Sequence, residues 1–306
     1  MKTNKLILIL LLVNLTSICE ATTFSDTTII KSYLTILTKT QNYRTHQNVD
    51  LLNKTADFIK SIFRQYTDSV FIQEYSANGK TYKNVICSFG TENKKRVIIG
   101  AHYDVCNNQE GADDNASGVV GLLELSRLLT GQKLNYRIDL VAYSLEEPPY
   151  FKTEFMGSYI HAKSLTESKA DVYGMISLEM IGYFKERKKT QSYPAGFLSI
   201  FYGSKGNYIT LVKKFNSGKF AHSFCRHYKS SRTIRTKKFT GPISLPGIGF
   251  SDHLNYWKFG FSALMITDTS FFRNKNYHQT TDTMETLDLT RMAKVIDGVF
   301  TAILTL

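Results

Sequence analysis

Five consecutive apolar residues at 97–101 (VIIGA) run straight into His102-Tyr103-Asp104. So short a run, with no polar position in it, suits a strand buried on both faces at the centre of a sheet. Mostly apolar segments at 138–143, 172–178 and 261–267 read as further strands, and 197–201 as one more. Helical spacing appears at 118–129 and 156–165, and a closing helix is expected over 288–304. Strands alternating with helices predict an α/β fold. Its form is a three-layer sandwich: a central mixed, mostly parallel β-sheet flanked by helices. Two further helices are expected at 29–37 and 51–66. Strands at 71–75 and 82–89 are then joined as a hairpin across the turn signal SANGK at 76–80.

The chemistry sits just past the end of each buried strand. His102 and Asp104 come after the first, Glu146 and Glu147 after the second, Glu179 after the third, and Asp268 with His278 ten residues later after the fourth. Ligands of open α/β sheets bind at the carboxyl ends of the strands. Acids and imidazoles converging there point to a metal site, and mixed His and carboxylate ligation suits zinc. Residues two apart on a strand share a face. Asp104 can therefore accept from one ring nitrogen of His102 while the other binds metal, which fixes the tautomer. The string Gly111-Ala-Asp-Asp-Asn-Ala-Ser-Gly118 leads directly into a helix. A helix N-cap explains one of its polar residues; a carboxylate held in such a turn can also bridge two metals. Of the adjacent glutamates in LEEPP (145–149), one can bind metal while the other acts as general base.

Composition narrows the function classes. The 306 residues are 42% hydrophobic, enough to bury one large α/β core, and the net charge of +12 comes with no nucleic-acid-binding motif. The basic run at 226–238 reads as a solvated loop. Residues 1–21 have a lysine-bearing start, an apolar run too short for a comfortable span, and a small-residue exit. That is the pattern of a signal peptide, so a secreted or periplasmic protein is expected, with no stable membrane span once the signal is removed. Residues 22–306 are then read as one catalytic domain. Cys87, Cys106 and Cys225 show no CxxC spacing, too few for a disulfide scaffold and not in a metal-binding pattern.

Taken in order, the strings VIIGAHYDV, GADDNASGV, EEPPYF, SLEMIGYF, SDH and YHQTTDTMETLD resemble the zinc aminopeptidase family. That family includes bacterial leucyl aminopeptidases and, more distantly, glutamate carboxypeptidase II. The likeness runs from about Tyr43 to the C-terminus. It implies a zinc exopeptidase fold, two Zn2+ ions per chain and peptide substrates with a free N-terminus. His102, Asp114, Glu147, Glu179 and His278 match the metal ligands. Asp114 matches the bridging aspartate, with a cis bond to Asn115. Glu146 matches the general base, and Tyr277 a residue that steadies the tetrahedral intermediate. The resemblance leaves His253 as support for the site or its pocket, and His46, His161, His222 and His227 as surface or structural. The alternatives are a single-zinc glutaminyl-cyclase-like transferase, or a carboxypeptidase or dipeptidase on the same fold.

Overall fold

The computed structural model describes residues 24–306, so the expected leader at 1–21 lies outside the described residues. The chain opens with helices α1 (Thr27–Thr38) and α2 (Val49–Phe63), then a hairpin of β1 (Val70–Ala77) and β2 (Lys80–Phe89). Next come β3 (Arg96–His102), α3 (Gly118–Leu129), β4 (Arg137–Tyr143), α4 (Gly157–Glu167) and β5 (Val172–Glu179). The last third holds α5 (Leu198–Tyr202), β6 (Ile209–Lys214), α6 (Gly218–Ser231) and β7 (Thr236–Gly241), then α7 (His253–Lys258), β8 (Ala263–Thr267) and α8 (Leu289–Thr305).

Local chemistry sets the boundaries. The Asp26 carboxylate accepts from Thr28 N at 2.7 Å and caps α1, and Asp288 accepts from Arg291 N at 3.0 Å and caps α8. The hairpin turns on Asn78 (φ 49°) and Gly79 (φ 75°) alone. Two positive φ values mark the tight turn whose twist matches the flanking strands, so the turn is shorter than the five residues expected.

All eight strands form one sheet in the order β1-β2-β4-β3-β5-β8-β6-β7. The central four, β4, β3, β5 and β8, are mutually parallel, while β1, β2 and β6 pair antiparallel to their inner neighbours. Alternation divides the parallel strands between two cores. Val97, Ile99, Leu140, Ile176 and Leu264 pack on the face covered by α1, α2, α3, α6 and α8. Ile98, Val141, Met175 and Met265 pack on the face that carries Ala162 and Leu165 of α4 and Tyr256 and Trp257 of α7. A mixed sheet between two helical layers is the sandwich that the strand–helix alternation predicts.

The last third departs from expectation. Residues 197–201 are not a strand: Phe197 caps the short helix α5 and the rest fall in it, with Phe197, Ile200 and Phe201 exposed. No sheet edge is offered to them, because β6 takes the place beside β8. The basic run 226–238 is not a loop either. It ends α6, turns at Arg232 (φ 54°) and enters β7, an edge strand. Lysines on an edge discourage pairing with other chains. No helix among the described residues is long and apolar enough to cross a membrane.

Because β3, β4, β5 and β8 are parallel, their carboxyl ends share one rim of the sheet. His102 closes β3, Glu179 closes β5, and the segments leaving β4 and β8 carry Glu146, Glu147 and His278.

Candidate metal centre

Between β3 and α3 the chain passes through a tight turn at Ala112–Ser117, in which Asp114 and Asn115 have non-helical backbone and the bond joining them is cis. Neighbouring side chains fix this turn. The Asp282 carboxylate accepts from Asp113 N and Asp114 N, each at 3.0 Å. Asn115 donates to Leu178 O at 2.9 Å and accepts from Gly118 N and Met180 N, both at 3.1 Å. Gly118 is required by closeness: a Cβ there would lie 2.6 Å from the carbonyl oxygen of Leu178.

The turn aims Asp114 between two histidines. Asp114 Oδ1 is 3.4 Å from His102 Nε2, and Oδ2 is 3.2 Å from His278 Nε2. Glu179 Oε2 stands 3.4 Å from His102 Nε2, and Glu147 Oε2 stands 3.2 Å from His278 Nε2. All five expected ligand residues thus meet in two groups that share Asp114. His102 Nε2, His278 Nε2, Asp114 Oδ2 and Glu147 Oε1 are buried without a hydrogen-bond partner. Buried polar atoms are rarely left so. Zinc bonds of ~2.0–2.2 Å in tetrahedral array put neighbouring donor atoms ~3.4 Å apart. The observed 3.2–3.4 Å separations match that spacing. The donor set and its orphaned atoms therefore fit zinc.

The electrostatics agree. Burial alone would depress the rings of His102 and His278, but the surrounding carboxylates outweigh it and hold both well above the usual imidazole range. Burial, with Glu147 and Glu179 nearby, pushes Glu146 well above the usual carboxylate range. So many buried acids with so few compensating charges call for a cation.

Glu146 Oε2 lies 3.8 Å from His102 Nε2, farther than the two carboxylates paired with that nitrogen. Asp104 holds the loop that carries it. Its buried carboxylate accepts from Glu146 N at 3.1 Å and Glu147 N at 3.0 Å. The Nδ1 of His102 lies 3.2 Å from the Asp104 carbonyl oxygen and 3.5 Å from its carboxylate. Asp104 is thus tied to both sequence signals, although the main-chain contact to the ring is the shorter. Ser251 Oγ donates to Glu179 at 2.8 Å. Three residues beside the centre, Leu145, Met180 and His278, adopt φ of 63°, 51° and 56°. These are costly values for residues with a Cβ, and such outliers cluster at functional sites.

A cavity of about 270 Å³ opens from the acids. Its floor is set by strand register. Glu179 pairs with Thr267, and Thr267 with Thr210, so these three share a sheet face. The floor therefore extends from Glu179 across β8 and β6, two strand spacings or ~10 Å. Tyr202, Tyr208, Phe239, Phe250, Phe272 and Tyr277 wall it. The Tyr277 ring stacks on His278 with centroids 3.8 Å apart.

Other residues stay apart from the centre. His253 Nε2 donates to Ile248 O (2.7 Å), on the cavity lining, and the ring stacks edge-on against Trp257. His161 is buried against the Tyr256 hydroxyl at 2.6 Å, His46 packs on Tyr150, and His222 and His227 are surface residues. The roles of Asp282, Asn115 and Ser251 are not legible from spacing, although each lies in one of the strings that carry the resemblance: Asn115 in GADDNASGV, Ser251 in SDH and Asp282 in YHQTTDTMETLD.

Residues 84–303 match Peptidase family M28. The chain is 42% identical over 273 residues to the uncharacterized protein YfbL of Escherichia coli, covering 87% of this chain and 84% of that one. It is 26% identical to a probable leucine aminopeptidase of Trichophyton verrucosum, over 85% and 67% of the two chains. Among solved structures, LapB of Legionella pneumophila superposes with a TM-score of 0.71 at 20% identity, covering 92% of this chain and 72% of that one. Glutaminyl cyclase of Fimbriiglobus ruber gives 0.71 at 18%, over 94% and 97%. The two structural likenesses speak for the fold; the family match covers most of the chain, and the protein is a member of Peptidase family M28.

Proposed function

We propose that this protein is an aminopeptidase that uses two zinc ions to remove the N-terminal residue of peptides with a free amino end. The observation that carries the reading is Asp114, whose two carboxylate oxygens face different histidines. His102, Asp114 and Glu179 would hold one ion, and Asp114, Glu147 and His278 the other. When bound, the pair supplies Lewis acidity and makes water acidic enough to be a nucleophile near neutral pH. Glu146 takes the proton of the attacking water and delivers it to the departing amine. The Tyr277 phenol, on the cavity wall beside His278, donates to the developing oxyanion. Asp104 keeps Glu146 and Glu147 at their stations through their backbone amides.

The cavity lining supports action at the amino end. Asp114, Glu146, Glu147 and Glu179 line it, and among the described lining residues His278 is the only basic side chain. A free amine finds acceptors there, whereas the neighbouring lysines, Lys152 and Lys237, lie over the wall rings of Phe250 and Tyr208 and are not themselves lining residues. The aromatic walls favour a large apolar first residue. The leader-like residues 1–21 support export to the periplasm or medium.

Glu146→Gln tests the mechanism. It should keep its zinc and lose roughly two to four orders of magnitude in kcat on aminoacyl-nitroanilides. Normal turnover would remove Glu146 from the role of base.

A further inference from the structure

Cys106 differs from the other two described cysteines. Cys87 and Cys225 are packed into the hydrophobic core, whereas Cys106 lies in the loop between β3 and the Asp114 turn. That loop is firmly held. The buried Arg44 side chain donates to the carbonyls of Tyr103 (2.9 Å), Glu110 (3.0 Å) and Gly111 (3.2 Å), and Arg44 O accepts from Val105 N at 3.0 Å. The result is a thiol, 6% exposed, whose Sγ lies within 4.8 Å of the ligand atoms of Glu147 and His278. Glu147 is 4% exposed, and its Oε1 has no hydrogen-bond partner.

We propose that Cys106 is an additional, sulfur ligand for the ion held by Glu147 and His278; this rests on the two-zinc reading above. As the sulfur–metal bond forms, the thiol proton leaves to solvent. Cys106 would then add one protein donor beside Glu147 and His278, and among the described residues no such extra donor stands beside His102 and Glu179. A soft thiolate also makes the Glu147–His278 position prefer zinc, cadmium and cobalt over manganese and magnesium.

The test is cobalt(II) loading of the metal-free full protein, read in the near ultraviolet. The wild type and a C87A/C225A variant should both show an intense sulfur-to-cobalt charge-transfer band, and C106S should lack it. In chelator competition, C106S should bind zinc at one of its two sites roughly ten- to hundredfold more weakly. Wild-type protein that takes up two cobalt ions without the band overturns the proposal, whether or not C106S folds. So does a band that persists in C106S. Failure to bind zinc or cobalt at all would instead overturn the two-zinc reading itself.

Discussion

Replacing Asp104 with Asn alters the loop behind the catalytic acids without touching their side chains. Asp104 is fully buried, and its two carboxylate oxygens accept separately from Glu146 N and Glu147 N. Asparagine keeps one acceptor and turns the other into an NH2 donor. One of the two amides must then face a donor or lose its partner. A buried hydrogen bond to a charged group is worth about 1.5–3 kcal/mol. At about 1.4 kcal/mol per decade, that displaces Glu146 or Glu147 at a cost of roughly ten- to hundredfold in rate or zinc affinity. The assay pairs steady-state kinetics on leucyl-nitroanilide with zinc competition against a chelator. Asp104→Asn should lower kcat/KM by that factor while still binding zinc. Activity and zinc affinity within twofold of wild type would refute the claim that Asp104 positions the Glu146–Glu147 pair.

The same geometry makes other outcomes testable. Asp114→Ala should lose both ions together in elemental analysis, because both groups of donors share it; retention of two would rule out the bridge. Gly118→Ala should cost about 1–3 kcal/mol in denaturant unfolding, since its Cβ would press on the Leu178 carbonyl oxygen, 2.6 Å away; an unchanged midpoint would mean the turn has slack. His161 and His253 are buried and neutral, with burial pushing each down to about 4. Their unfolded rings titrate near 6.5, so protons bind the unfolded chain more readily between these values. The stability they contribute is complete above pH ~6.5 and is lost as pH falls toward 4, roughly 3 kcal/mol for each ring. In protein kept metal-free by chelator, Gln at either position should flatten the fall of Tm with pH. A slope identical to wild type would contradict this.

Four strand ends make both the fold and the site readable. The segments leading into His102, Glu146 and Glu179 are mostly apolar and buried on both faces because they lie at the centre of the sheet. Strands of that kind declare themselves locally, without reference to the rest of the chain. The last third is harder, because its elements depend on distant partners. β7 (TKKFTG) is a lysine-bearing edge that pairs only with β6, so its sequence resembles a solvated loop. Phe197, Ile200 and Phe201 look like a strand but have no edge to join. Metal-ligand residue types stand out in a sequence, whereas the groups that hold them do not. Asp282 reaches the Asp114 turn from 168 residues away, and Ser251 reaches Glu179 across 72. Such contacts exist only once the sheet has formed. Cys106 is intermediate: its place four residues after His102 puts it near the site, but only the folded loop brings it beside Glu147 and His278.

The most direct test of the central claim is metal content measured on the same preparation that is assayed with leucyl-nitroanilide and its N-acetylated form. The account predicts about two zinc ions per chain, with rapid cleavage of the free substrate and none of the blocked one. One zinc per chain, or cleavage of the blocked substrate alone, would contradict it.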